Sequence, residues 1–269
     1  MTQPRQVLAG ATSLITRRTL RRHHLFRPDP AIRQLYLYAL AVSAREFEVL
    51  VHALTLMSTH EHLVVTDTRG CLPDFLRQLH RLVALGTKSL RRWEGPVWDH
   101  RRTSVVRLAT ERAIIEKLAY VIANPVEAGL VEKAREWPGI IFLPQELGRR
   151  RIVVRRPEGF FDPDNPKWPE TAEMKLSLPS ALQASYDPNE VRESVASEVE
   201  RLEGQARAIL RKERRRPAGP IKIQRFSPFD RATTQEPTRR LNPTFAVGSR
   251  QRGAFLDAVR DVREFRRAY

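Results

Sequence analysis

Two histidines one residue apart, His60 and His62, and a tyrosine and an asparagine four apart, Tyr120 and Asn124, are the side chains of this sequence whose types and spacing could do chemistry. On a strand, residues i and i+2 share a face about 7 Å apart, so both imidazoles can converge on one divalent ion. Two neutral imidazoles leave positions open for phosphate oxygens and water, which suits a catalytic metal better than a closed structural one. Taken alone, the His-x-His spacing also describes two polar residues beside a hairpin turn. Tyr120 adds a nucleophile, since a phenol beside a metal-bound phosphate can form a covalent phosphotyrosine and divide strand cleavage and rejoining into two steps. Asn124, one helical turn on, shares that face and can offer its amide oxygen to the metal.

Holding these groups takes a strand at 60–66 and a helix through 120–124. The pattern predicts a strand over 7–18, then a helix opened by Asp29-Pro30 and running through Leu35, Leu37 and Leu40 to about Arg45. Residues 47–57 alternate as a strand, with Phe47, Val49, Val51, Ala53, Thr55 and Met57 on one face, and pair with 60–66 as a hairpin. A helix over 72–90 starts at Pro73, a short strand follows near Val105-Val106, and Thr110 caps a further helix that is expected to end at Asn124-Pro125. On that helix Tyr120 and Asn124 fall nearly opposite the apolar stripe of Ile114, Leu118, Val121 and Ile122. The order β-α-β-β-α-β-α reads as an α+β domain over residues 1–150, with helices on one antiparallel sheet. Residues 151–185, with Pro157, Pro163, Pro166, Pro169 and Pro179, read as a proline-rich linker. Residues 186–269 read as a mostly helical basic extension, with 217–249 irregular and a last helix over 250–269.

Charge narrows the partner. Among 269 residues, Lys+Arg number 47 against 31 Asp+Glu, a formal +16 with pI near 10.9, which favours a polyanion and nucleic acid first. Residues 205–269 alone carry 17 basic and 6 acidic side chains, a net +11. Candidate nucleic-acid contacts are Arg17, Arg18, Arg21 and Arg22 beside His23-His24, Arg101 and Arg102 near Trp93 and Trp98, and Arg211, Arg214, Arg215 and Arg216. Solvated strand and helix ends, or ordinary packing of the tryptophans, are the competing readings. His52 and His80 read as structural or exposed. The single cysteine, Cys71, excludes an intramolecular disulfide framework and a multi-cysteine zinc site. No run approaches 18 apolar residues, so no membrane span is expected and a cytoplasmic, nucleoid-associated setting is the natural reading.

The run Leu56-Met57-Ser58-Thr59-His60-Glu61-His62-Leu63-Val64-Val65, then Gly95-Pro96-Val97-Trp98, then Ala119-Tyr120-Val121-Ile122-Ala123-Asn124-Pro125-Val126-Glu127-Ala128-Gly129-Leu130-Val131 and Trp137-Pro138-Gly139 resembles the single-tyrosine HUH transposases, including REP-associated tyrosine transposases. The resemblance covers about residues 5–145. It implies a ferredoxin-like antiparallel sheet with helices, Mg²⁺ or Mn²⁺ on His60, His62 and Asn124, and Tyr120 as the nucleophile that takes a 5′-phosphate and frees a 3′-hydroxyl. The implied activity is metal-dependent nicking and strand transfer on single-stranded or hairpin DNA, with a homodimer as one assembly it allows. Glu61 stands where the family usually has a hydrophobic residue. Strand alternation turns it away from the metal, toward water or a basic partner such as an arginine on the covering helix. That departure keeps open a DNA-binding protein derived from a transposase without turnover, and an RNA-binding use of the same surface is a third reading.

Overall fold

The computed structural model describes residues 6–101, 103–234 and 243–268. Its central sheet is built from β1 (Ala11–Arg18), β2 (Val49–Met57), β3 (His60–Asp67), β4 (Ser104–Leu108) and a short β7 (Phe245–Ala246), in the order β2-β3-β1-β4-β7. Each of the first four strands is antiparallel to its neighbours among them, and β7 runs parallel to β4. The expected α+β architecture is therefore present, with one strand that the sequence pattern did not reveal. Two residues are too short to carry an alternation signal, and β7 forms only because β4 offers a free edge.

Helices α1 (Pro30–Glu46) and α2 (Leu72–Arg91) cover one face of the sheet. Helix α3 (Glu111–Glu127) covers the other, backed by α5 (Pro188–Lys212). Local chemistry sets their starts: the Asp29 carboxylate accepts from the Ile32 amide 2.9 Å away, and the Thr110 hydroxyl accepts from the Ala113 amide at 3.2 Å. Contact between α1 and α2 is close at Gly86, where a Cβ would fall 2.4 Å from Leu35 Cδ1. In β3 the side chains alternate strictly. Leu63 and Val65 join the α1/α2 core, while His60, His62 and Val64 face α3.

Three expectations need correction. Helix α3 does not stop at Asn124-Pro125 but runs through Pro125 to Glu127. A proline in the last turn forfeits only one amide donor there, and the stop is made by Gly129 at φ +68, whose neighbour Leu130 donates back to the Pro125 carbonyl. In β2 a bulge between Val51 and Ala53 shifts the register, so Val49, Val51, Leu54 and Leu56 share the α1/α2 face while Ala53 and Met57 turn to α3. The proline-rich stretch 151–185 carries a hairpin, β5 (Arg151–Arg155) with β6 (Thr171–Lys175), followed by α4 (Ser180–Ser185). Ile152, Val154, Ala172 and Met174 of this hairpin bury against α1 and extend its core. Further on, α6 (Pro220–Gln224) and α7 (Arg252–Ala268) complete the described chain. No helix among the described residues is long and apolar enough to cross a membrane.

Candidate active site

The antiparallel register sets Thr16 of β1 opposite His62 and Arg18 opposite His60. His60 and His62 stand on the same face, ring centroids 4.7 Å apart and nearly perpendicular. The Thr59 hydroxyl lies 2.9 Å from His60 Nδ1, and the Thr16 hydroxyl lies 2.9 Å from His62 Nδ1. In the tautomer where each hydroxyl accepts from Nδ1–H, Nε2 is the unprotonated nitrogen on both rings and could ligate a cation. Burial lowers the His60 pKa to about 3, with the Arg18 and Arg22 charges adding to the effect. Burial first, then His60 and Arg18, holds His62 well below its ordinary value. Both rings are therefore neutral through the physiological range, the state that binds a cation.

Helix α3 delivers the rest. Tyr120 is half-buried, its ring edge-on to His62 with centroids 5.2 Å apart, and Lys117 Nζ lies 5.4 Å from the centre of the Tyr120 ring. One turn later the Asn124 side chain is buried and interacts with His60, while its Oδ1 has no hydrogen-bond partner among the described residues. A buried amide oxygen without a donor costs free energy that a cation would recover. This orphan, beside the two imidazoles, is the observation that fits His60, His62 and Asn124 to a divalent ion. The donor set is two nitrogens and one amide oxygen, with no group of three His, Cys, Asp or Glu among the described residues. Such an open set matches a metal shared with substrate oxygens and water.

Glu61 occupies the opposite face. It is fully buried, accepts from the Tyr36 hydroxyl at 2.7 Å, and pairs with His80 Nε2. Arg17 closes the chain, with Nη1 2.8 Å from His80 Nδ1 and its guanidinium over the Trp98 ring. The partners of Glu61 on the covering helices are thus a tyrosine and a histidine, not an arginine. His80 is buried, as is His52, whose Nδ1 contacts the Ser177 carbonyl and Nε2 the Thr66 hydroxyl. Arg17 and Trp98 are corrected by the same fact. Odd positions of β1 share the α1/α2 face with Glu61, so Arg17 is drawn into the core, and Trp98 is buried with its indole donating to the His80 carbonyl. Trp98 is thereby withdrawn from the surface, and the half-buried Arg17 has its guanidinium engaged by His80 and Trp98.

The other arginines divide by place. Arg18 and Arg22 bring positive charge to the histidine pair, and Arg22 is tied to Thr234. Arg21 is exposed, and Arg101 is held by Asp99 at 2.9 Å. Arg102 lies outside the described residues. Arg211, Arg214, Arg215 and Arg216 are exposed at the end of α5, with Arg215 paired to Glu213. Sequence reasoning missed Thr16, Thr59 and Lys117. Thr59 adjoins His60 in the chain and Lys117 precedes Tyr120 by one turn, both readable signals, whereas Thr16 emerges only from strand register. A cavity of about 970 Å³ opens at the start of α3 among Thr110, Glu111, Arg112, Tyr186, Glu198 and Arg201, and none of the four chemistry-bearing residues lines it.

No family model matches the chain, and a search of curated proteins finds no relative. Among solved structures, one described as a REP-associated tyrosine transposase bound to a REP hairpin aligns over 52% of this chain and 81% of its own, at 18% identity and a TM-score of 0.44. A Deinococcus radiodurans protein carrying a transposase designation aligns over 45% of this chain and 95% of its own, at 19% identity and a TM-score of 0.32. Likeness at this level does not carry function across, so the chemistry is read from the site's own geometry.

Proposed function

We propose that the chain is a metal-dependent endonuclease and strand transferase of transposase type, acting on single-stranded or hairpin-flanked DNA. The carrying observation is the convergence of His60, His62, Tyr120 and an orphaned Asn124 Oδ1 between β3 and α3. The strand order β2-β3-β1-β4 with its two covering helices supports a ferredoxin-like, HUH-type reading of the domain.

His60, His62 and Asn124 would hold Mg²⁺ or Mn²⁺, which when bound neutralises charge on the scissile phosphate. Tyr120 supplies the nucleophile. Its phenolic oxygen attacks phosphorus, the bond from phosphorus to the 3′ oxygen breaks, and the products are a 5′-phosphotyrosine and a free 3′-hydroxyl. The proton lost by the phenol balances the one gained by the leaving 3′ oxygen. Attack by another 3′-hydroxyl reverses the sequence and joins strands. Thr16 and Thr59 fix the rings, and Lys117, Arg18 and Arg22 set positive charge around the phosphate. Glu61 is engaged on the far face by Tyr36 and His80, so it lends no support to an inactive, merely DNA-binding derivative.

Incubation of the chain with hairpin-tailed single-stranded DNA and Mn²⁺ tests this reading. Strand nicking lost in His60→Ala with DNA affinity retained is the expected result. Nicking that survives in His60→Ala, or that proceeds in chelator, contradicts it.

A further inference from the structure

The basic extension does not leave the domain. Ala218 and Gly219 donate to the Gly129 and Leu130 carbonyls at the exit of α3, and ten residues later the chain is bonded to the loop that follows β1. There His24 N–H donates to the Asp230 carbonyl at 3.0 Å, and Ala232 N–H donates to the Arg22 carbonyl at 3.0 Å. That loop is itself bound to the turn before His60, through Thr19 N–H to the Thr59 carbonyl and Phe26 N–H to the Ser58 carbonyl. Residues 218–232 therefore bridge the helix that carries Tyr120 and the loop beside His60.

Where the bridge meets the loop, aromatic rings from both sides stack. Trp93 and Phe229 lie with centroids 6.0 Å apart and planes 28° apart, His24 and Phe226 with centroids 4.8 Å and planes 25° apart, and His23 leans on Trp93. Phe229 is 53% exposed, so about half of its surface is open to solvent beside Trp93. Arg231 Nε lies 3.2 Å from His23 Nε2 and the Arg22 charge acts on His24, opposed there by Asp230, while Arg21, Arg92 and Arg225 are exposed nearby in the chain. Arg21, Arg22 and Arg92 hold left-handed backbone at φ 48, 59 and 50, a conformation non-glycine residues adopt only where surrounding structure demands it. Flat, partly exposed rings beside arginines form the pairing that binds unpaired nucleotides, because every base has a stackable face and every phosphate a charge. A duplex hides its bases from such a shelf.

We infer that residues 21–24, 92–93 and 225–231 form a shelf that binds an unpaired stretch of single-stranded DNA, with a base stacked on Phe229, beside the His60 end of the site. The inference rests on the proposed function only in taking DNA as the partner, and it adds that the extension supplies part of the binding surface. Its test needs no cleavage. The full chain carrying Tyr120→Phe is titrated in chelator with fluorescently labelled oligothymidylate of about 15 nucleotides, the matching oligouridylate and a blunt duplex, with and without Phe229→Ala or Phe229→Trp. The expected outcome is about tenfold weaker oligothymidylate binding in Phe229→Ala, an unchanged salt slope, near-normal binding in Phe229→Trp and no change on duplex. Unchanged oligothymidylate affinity in Phe229→Ala, equal loss on duplex, or tighter binding of oligouridylate than oligothymidylate would overturn the inference. Failure of nicking in the separate Mn²⁺ assay would instead overturn the proposed function and leave the shelf standing.

Discussion

Replacing Thr16 by valine keeps the volume of the side chain and removes the hydroxyl that holds His62 Nδ1. Ring orientation and tautomer then rest on packing alone. Loss of such an outer partner typically weakens metal affinity 10- to 100-fold. Calorimetric titration of Thr16→Val with Mn²⁺ should show a loss of that size without unfolding, and native affinity would mean His62 needs no orienting partner. Behind the same strand, Glu61→Ala leaves the Tyr36 hydroxyl and His80 facing an empty buried site. Breaking a buried pair by removing one partner costs about 3–5 kcal/mol, so a fall of that size in urea unfolding is expected. A loss below about 1 kcal/mol would show the network to be incidental. The histidine spacing, the tyrosine and the asparagine were legible in sequence because each is a local pattern. The Arg17–His80–Glu61–Tyr36 chain was not, because its members come from four elements and meet only through strand register.

Element boundaries followed local chemistry where that chemistry was local. Asp29-Pro30 and Thr110 cap the helices they were expected to cap, whereas Pro125 sits within α3, because a proline in the last turn costs one donor there and the turn out of the helix is made by the left-handed Gly129. The β2 bulge was illegible, since alternation counts residues and cannot see one that has slipped out of register. That bulge buries His52 between Ser177 and Thr66, and burial lowers its pKa to about 4. The folded state therefore resists protonation that the unfolded chain accepts. Stability should be intact above about pH 6.5 and fall as pH drops from there toward about 4, by on the order of 3 kcal/mol from this residue. His52→Gln should flatten, though not abolish, the acid slope of the melting temperature, because His60 and His62 are shifted in the same direction. An acid slope equal to that of the parent chain would show that His52 carries no linkage.

Across the whole molecule, the excess of arginine is neither evenly spread nor loosely attached. Deleting residues 205–269 would strip Ala206 and Ile223 from the core shared with α3 and β7 from the sheet edge, so truncation would report folding as much as charge. Arg211, Arg214 and Arg216 are exposed, and changing all three to glutamine removes charge alone. On single-stranded DNA each lost phosphate contact should lower the slope of log affinity against log salt by about 0.7. An unchanged slope would place DNA elsewhere on the surface. The account depends most on Tyr120, whose ring meets His62 between the sheet and α3. Its direct test is mass spectrometry of the denatured chain after reaction with hairpin-tailed single-stranded DNA and Mn²⁺, for the parent and for Tyr120→Phe. The account predicts a 5′-phosphorylated DNA fragment covalently attached at Tyr120 in the parent and no adduct in the folded variant. Nicking at the parent rate by Tyr120→Phe, with no adduct in either protein, would make water the nucleophile and contradict it.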